Sequence, residues 1–384
     1  MTTDNSFIPF TKPTIDEETI NAVAEVLRSG WITSGPKVAQ FESELSQYFG
    51  GRIVRCFANG TATMEIALRI AGVGPGDEVI TTPISWVATS NVILTVGAKP
   101  VFVDIDPITR NINLNLLEAA ITPKTKAIMP VYLAGLPVNI SELYRIAKKF
   151  KLRVIEDAAQ ALGSTWDGQL IGSSFNHQSD LVSFSFQANK NITSVEGGCL
   201  VMNTLEEAHL AERLRLQGVS RSGMDGMEVD ILGGKHNLTD VNAAIGLQQL
   251  KHLDSFKNQR HLLAKTYFEQ MSLLGIPALG VQLPPENFSQ TNWHMFQIVL
   301  DLAQLKTDRA SIMSRLKEKN IGTGVHYPLI TGFKLYQDLG YQTSHTPVAQ
   351  RVGKSILTLP LFPSMSTDDV IRVVRALKDA LIGS

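Results

Sequence analysis

Between about residue 55 and residue 205 the sequence alternates short β-rich runs with segments of helical spacing, and few folds satisfy that pattern. Glu78–Thr82 (EVITT), Pro100–Asp104 (PVFVD), Lys126–Val131 (KAIMPV) and Leu152–Asp157 (LRVIED) read as buried strands. Helical segments fall between them near Ser85–Val96, Leu114–Ala120 and Ser141–Phe150. In the last, Leu143, Ile146, Ala147 and Phe150 share one face, and Ser141 is placed to cap it. Asp180–Phe186 and Gly198–Met202 extend the strand series. Alternation of this kind predicts an α/β fold, a mostly parallel sheet wrapped by helices on both faces.

After Asn237 the character changes. Residues 238–271 form a long helical pattern with Thr239 at its start, and a Pro- and Gly-rich stretch, 275–292, follows. WHMFQIVLDL then resumes as a strand, with helices expected over Arg309–Lys319 and Thr367–Leu381. This divides the chain into a large domain with the N-terminal segment, 1–258, and a smaller α+β C-terminal domain, 259–384. The Gly72–Val79 run (GVGPGDEV) lacks GxGxxG spacing and leads from helix to strand, so it reads as a tight connection and argues against a nicotinamide dehydrogenase.

Charge excludes several functions. Lys+Arg 35 against Asp+Glu 36 leaves no basic excess for nucleic acid. No apolar run approaches the roughly 20 residues of a membrane span, and MTTDNSFIPFTKP lacks the pattern of a secretory leader. A cytoplasmic protein is the expectation. Cys56 and Cys199 are far apart, and the eight histidines form no HxxxH pair, so no metal is expected.

In a doubly wound sheet, ligands lie beyond the carboxyl ends of the strands. Those positions carry Ser85 and Trp86, then Asp157 to Gln160, then Gln187 to Lys190. An acid, an aromatic and a lysine would thus share one edge. A lysine made less basic by burial attacks aldehydes. Pyridoxal 5'-phosphate (PLP) is such an aldehyde, and its chemistry requires an Asp against the ring nitrogen. Asn59-Gly60-Thr61-Ala62 precedes a helical run and offers amides and a dipole to a phosphate. Each piece also has an ordinary reading: a solvated lysine, an Asp that caps a helix, a core tryptophan, an Asn-Gly turn.

Taken together, the motifs resemble the DegT/DnrJ family of PLP-dependent sugar aminotransferases, of fold type I (aspartate-aminotransferase-like). They include SGWITSGPKVAQFE (29–42), NGTATMEIAL (59–68), GVGPGDEVITTPISWVATSN (72–91), VIEDAAQALGS (154–164), FSFQANKNITSVEGG (184–198) and KHNLTDVNAAIGLQQL (235–250). SGWITSGPK and KHNLTD carry a narrower likeness, to enzymes that aminate C4 of UDP-linked 4-keto sugars. The resemblance implies that Lys190 holds the cofactor as a Schiff base and moves the proton. Asp157 would pair with the ring nitrogen, Gln160 would touch the ring hydroxyl, and Trp86 would stack on the ring. Gly60, Thr61, Ala62 and Ser185 would bind the phosphate. Asn237 would enter the neighbouring active site of a homodimer. Trp31, Thr33, His326 and Tyr327 are candidates for the sugar pocket, with Arg221, in a Gly/Ser-rich loop read as flexible, and Lys235 for a pyrophosphate. His294, opening a predicted strand, is assigned a packing role.

The activity implied is transfer of the amino group of L-glutamate, leaving 2-oxoglutarate, to a UDP-linked 4-keto sugar. A 2-acetamido-4-keto-6-deoxyhexose is the first choice and a 4-ketopentose the second, for surface polysaccharide or lipopolysaccharide. The alternatives are a PLP-dependent keto-sugar dehydratase and a non-catalytic regulator on the same scaffold. Dehydratases of the family replace the lysine by histidine, so Lys190 favours amination. The sequence departs from the family in Ala58-Asn59-Gly60, in KHN and in HYPLITGF (326–333).

Overall fold

A computed structural model describes residues 6–174 and 180–383; residues 1–5, the start of the stretch read for a leader, lie outside it. The strands of the large domain are β1 (Ile53–Phe57), β2 (Glu78–Thr81), β3 (Lys99–Phe102), β4 (Thr125–Met129), β5 (Arg153–Asp157), the short hairpin β6 (Thr165–Trp166) and β7 (Gln169–Leu170), β8 (Leu181–Ser185) and β9 (Gly198–Met202). Its helices are α1 (Glu17–Ser29), α2 (Pro36–Tyr48), α3 (Gly60–Ile70), α4 (Ala88–Thr95), α5 (Leu117–Ala120), α6 (Ile140–Phe150), α7 (Leu205–Arg215) and the start of α8 (Asp240–Leu273).

Seven strands form one sheet in the order β1-β9-β8-β5-β4-β2-β3. Pairing is parallel from β8 to β3, and β9 runs antiparallel to both its neighbours. The near-continuous apolar character of these strands has a direct cause, since both faces are covered and successive side chains enter different cores. Ile80, Ile128, Val154, Val182, Phe184 and Val201 point into one core, with Phe41 and Leu45 of α2 and Leu143 and Ile146 of α6. Their neighbours Val79, Met129, Ile155, Leu181 and Leu200 point into the other, against Ile66 of α3, Val92 of α4 and Ala211 of α7. The architecture is the aspartate-aminotransferase-like fold expected.

Local differences from the sequence reading have local causes. Strand β4 ends at Met129 because Pro130 has no N–H to donate. The cap of α6 is Asn139, whose side chain accepts from the Glu142 amide at 3.0 Å, and Ser141 is already inside the helix. Thr239 does cap α8, accepting from the Asn242 amide. The segment read as a flexible loop is a hairpin, β10 (Val219–Ser222) paired with β11 (Gly226–Val229).

The small domain pairs β12 (Val281–Gln282), β13 (Phe296–Leu300) and β14 (Ile356–Leu359) antiparallel, covered by helices Arg309–Glu318 and Thr367–Ile382. Helix α8 serves both units. Ala243, Leu247 and Leu253 enter the large core, whereas Leu263, Ala264, Tyr267 and Met271 enter the small one. The N-terminal segment, expected with the large domain, crosses over: Ile8 pairs with Ile321 and packs in the small core.

Polar clamps seat the small domain on the large one. Arg110 donates to the carbonyls of Gln297 and Leu283 at 2.8 and 3.0 Å. The Asp104 carboxylate accepts from the Val348 and Ala349 amides, both at 2.9 Å. Asp240, the first residue of α8 and itself buried, accepts from the amides of Gly35, Lys37 and Val38 at 2.8, 3.1 and 2.9 Å. It therefore caps α2 from a distant part of the chain. Asp240→Ala strands these donors and is expected to cost about 2–4 kcal/mol. Denaturant unfolding of wild type and variant measures it, and an unchanged midpoint would contradict this role.

Candidate active site

Strands β5 and β8 are parallel neighbours, and Asp157, the last residue of β5, lies opposite Ser183. Both strands end at the same edge, where the chain leaving β8 turns through Gln187 to Lys190, the Lys190 amide bonding to the Gln187 carbonyl at 2.8 Å. Asp157 is buried and caps no helix. Its Oδ2 accepts from the Thr89 hydroxyl at 2.7 Å, and its Oδ1 from the Ala159 amide at 3.2 Å. Burial raises its pKa, against the pull of those two hydrogen bonds and of the Lys190 charge. Burial likewise draws Lys190 down from 10.5 to about 8, opposed by the charges of Asp157 and Glu196. The lysine and the acid thus act on each other across one site, and a minority of the amine, far more than at the ordinary value of 10.5, is neutral near physiological pH.

An anion cradle adjoins them. Asn59 caps α3 by accepting from the Ala62 amide at 2.8 Å. Gly60 and Thr61, in the first turn, have no intrahelical acceptor for their amides, and the positive end of the dipole lies there. A Cβ on Gly60 would meet the Cβ of Ser185 at 2.8 Å, so only glycine lets the helix start approach this serine. Ala62 was expected to bind phosphate as well, but its amide is already committed to Asn59.

Aromatic and polar side chains complete the walls. Trp86 is 62% exposed, large for an indole, and its ring centroid is 6.2 Å from that of Tyr327. Gln160 accepts from the Ala134 amide at 2.7 Å and donates to the Tyr327 hydroxyl at 3.2 Å. His326 pairs through Nδ1 with the Thr358 hydroxyl at 2.9 Å and stacks on Phe10. Burial, and then the Lys190 charge, lowers its pKa to about 4, so it is neutral at physiological pH. His294 is buried, with Nδ1 2.9 Å from Asn191 Oδ1, and it holds the residue next to Lys190 in place. A desolvated amine, a buried carboxylate, an open indole face and a glycine-lined helix start fit the aldehyde, ring nitrogen, ring face and phosphate of PLP.

Comparison with known proteins agrees with that fit. Residues 13–378 match the DegT/DnrJ/EryC1/StrS aminotransferase family. The chain belongs to this family. It is 38% identical to the spore coat polysaccharide biosynthesis protein SpsC of Bacillus subtilis, over 99% of this chain and 98% of that one. Among solved structures, the putative sugar aminotransferase Spr1654 of Streptococcus pneumoniae, in forms with PLP and with PMP, superimposes with a TM-score of 0.90 at 31% identity, covering 98% of both chains. PseC of Helicobacter pylori, an aminotransferase involved in the biosynthesis of pseudoaminic acid, gives 0.91 at 27% identity, over 99% of this chain and 100% of that one. The chain is thus a PLP-dependent aminotransferase of the DegT family.

The remaining candidate residues of this aminotransferase form a second group, and no hydrogen bond links them to Lys190 or Asp157. Asn237 donates to the Ser34 hydroxyl at 2.7 Å and bridges Phe57 at the outer edge of β1. The carbonyl of Thr33 accepts from the Asp240 amide, and the Trp31 indole donates to the Ser34 carbonyl at 3.3 Å. Arg221, on β10, lines an open cavity of about 520 Å³ together with Ser34 and Asn237. Lys235 is exposed beside it, bridging Leu216. Among the described residues no cluster of acidic, His or Cys side chains could hold a metal, and no helix is long and apolar enough to cross a membrane.

Thr89, bonded to Asp157, escapes the sequence reading, because a Thr in the first turn of a helix carries no signal of its own. The depressed Lys190 pKa gives a direct prediction. Only the neutral amine attacks an aldehyde, so the rate of PLP uptake by apoenzyme should rise with pH and reach half its plateau near pH 8. Stopped-flow absorbance measures it; a rate still climbing towards 10.5 would show that the amine is not desolvated. Gly60→Ala should weaken PLP binding at least about tenfold, the equivalent of about 1.4 kcal/mol, read by fluorescence titration.

Proposed function

We propose that the enzyme transfers the amino group of L-glutamate to C4 of a UDP-linked 4-keto sugar, with a 2-acetamido-4-keto-6-deoxyhexose as the preferred acceptor. The observation that carries the catalytic part is the partly neutral Lys190 amine set across from buried Asp157 at one sheet edge. The sugar class rests on the likeness to SpsC and PseC, named for polysaccharide and pseudoaminic acid biosynthesis, and on the KHNLTD and SGWITSGPK motifs. A role in surface polysaccharide, in the cytoplasm, follows from the same reading.

Bound in this site, PLP supplies an electron sink for the electrons left when a C–H bond beside its nitrogen breaks. The chain's residues do the rest. Asp157 holds a proton at the ring nitrogen through an ionic hydrogen bond, and Trp86 covers one ring face. Gly60, Thr61 and Ser185 fix the phosphate, so the ring cannot slide relative to Lys190. Lys190 Nζ takes the proton from the Cα of the amino donor and returns one to the sugar carbon. General acid–base transfer of this kind contributes typically 10²–10⁴-fold. His326, held neutral, can donate or accept a hydrogen bond without adding charge beside Lys190, and Tyr327 faces the same space. Gln160 serves the ring hydroxyl.

We further propose a homodimer in which Asn237 of one protomer reaches the phosphate of its partner, with Trp31, Thr33, Arg221 and Lys235 beside it towards the nucleotide. The clustering of Asn237, Trp31 and Thr33 around Ser34 on the edge strand's flank, beside an open cavity that Arg221 lines, supports that reading. The division 1–258 and 259–384 is proposed for the domains, with α8 crossing it and the N-terminal segment docked on the small one. A UDP-4-ketopentose is the second acceptor, favoured by the arabinose-type KHN.

A panel of UDP- and dTDP-linked keto sugars, each with and without glutamate, tests the proposal. Amino sugar should form only with glutamate, and fastest from the UDP-4-keto sugars. Turnover of a keto sugar without any amino donor would point to a dehydratase and contradict it.

A further inference from the structure

We propose that Ser85 and Thr89 are positioning residues for Asp157, an oriented pair of hydroxyls that keeps its carboxylate fixed and charged towards the cofactor ring. This rests on the assignment of Asp157 to the ring nitrogen. The geometry sets the direction of the chain. Thr89 Oγ1 lies 2.7 Å from Asp157 Oδ2, 3.1 Å from the Trp86 carbonyl and 2.8 Å from Ser85 Oγ. It has one proton to give, and the closer, charged acceptor takes it. Ser85 must then donate to Thr89, so the order is Ser85 to Thr89 to Asp157. All three side chains are buried, at 3%, 1% and 4% exposure, where no water competes for these bonds.

The arrangement divides the carboxylate between two tasks. Oδ2 is held at close range by the hydroxyl. Oδ1 has only the longer contact to the Ala159 amide and keeps capacity for a ring N–H. The Thr89 amide bonds to the Trp86 carbonyl at 3.2 Å, which makes Trp86 to Thr89 a single turn. One turn after β2 therefore sets both the side chain on the ring face and the hydroxyl behind the ring nitrogen's partner.

The titratable groups facing Asp157 are Lys190, from the turn after β8, and Tyr327, from the small domain. Ser85 and Thr89 are the uncharged members of the set. Without the Thr89 hydroxyl, a buried carboxylate loses its closest donor and takes up a proton more readily. A protonated acid no longer accepts from the ring nitrogen, so cofactor binding fails at a higher pH.

The test measures PLP affinity of purified full-length enzyme by fluorescence titration from pH 5 to 8, with thermal unfolding of the apoenzyme as a control for folding. Thr89→Val, close to isosteric, should weaken binding about tenfold at neutral pH, the scale of one hydrogen bond to a charged group. It should also move the acid limb of binding upward by about one pH unit, since a tenfold change equals one unit. Thr89→Ser keeps the hydroxyl and should restore both; Ser85→Ala should give a smaller shift in the same direction. Equal losses in Thr89→Val and Thr89→Ser would mean that packing alone matters, and would overturn the proposal. Wild-type affinity and acid limb in Thr89→Val would also overturn it while Asp157→Ala loses the cofactor, leaving the assignment of Asp157 standing. If Asp157→Ala binds PLP normally as well, that assignment falls too.

Discussion

The parallel pairing of β5 with β8 is the contact on which the site depends. It brings the end of one strand, carrying Asp157, beside the end of the other, from which the turn to Lys190 departs. Neither group is unusual alone. Placed together under the cover of the small domain, each loses water, and burial pushes the acid up and the amine down. Attraction between their charged forms opposes both shifts. A cationic cofactor ring against Asp157 would relieve the first tension, and covalent use of the amine would relieve the second.

The rest of the fold holds that edge open at the right size. Gly60 lets the start of α3 approach Ser185, and Gly198 has a comparable constraint, since a Cβ there would meet the Phe184 carbonyl at 2.6 Å. The small domain is tied down by Arg110, by Asp104 and by Tyr336, whose hydroxyl donates to Asn91 Oδ1 at 2.7 Å on α4. His326 and Tyr327 are thereby presented to the large domain at a fixed distance. Their hydrogen bonds to Thr358 and Gln160 orient them further.

Much of this was legible in the sequence because strands buried on both faces leave long apolar runs. Glu78–Thr82 and Leu152–Asp157 fall within a residue of β2 and β5 for that reason. Strand β1 was missed, since its short run is broken by Arg55, whose charge is satisfied by Glu212. Tertiary contacts explain the other misses. The N-terminal segment finds Ile321 far along the chain, and the hairpin around Arg221 has two largely exposed four-residue strands, VSRS and GMEV, too short and too polar to read as strands. In the site, residues at strand ends could be anticipated from topology. Thr89 could not, because its importance comes from the carboxylate it happens to face.

The central claim is covalent, and the most direct measurement is chemical. Enzyme incubated with PLP, reduced with borohydride and digested should yield one peptide carrying the reduced phosphopyridoxyl mass, with the label on Lys190. Label on another lysine, or none on a folded protein saturated with PLP, would contradict this account.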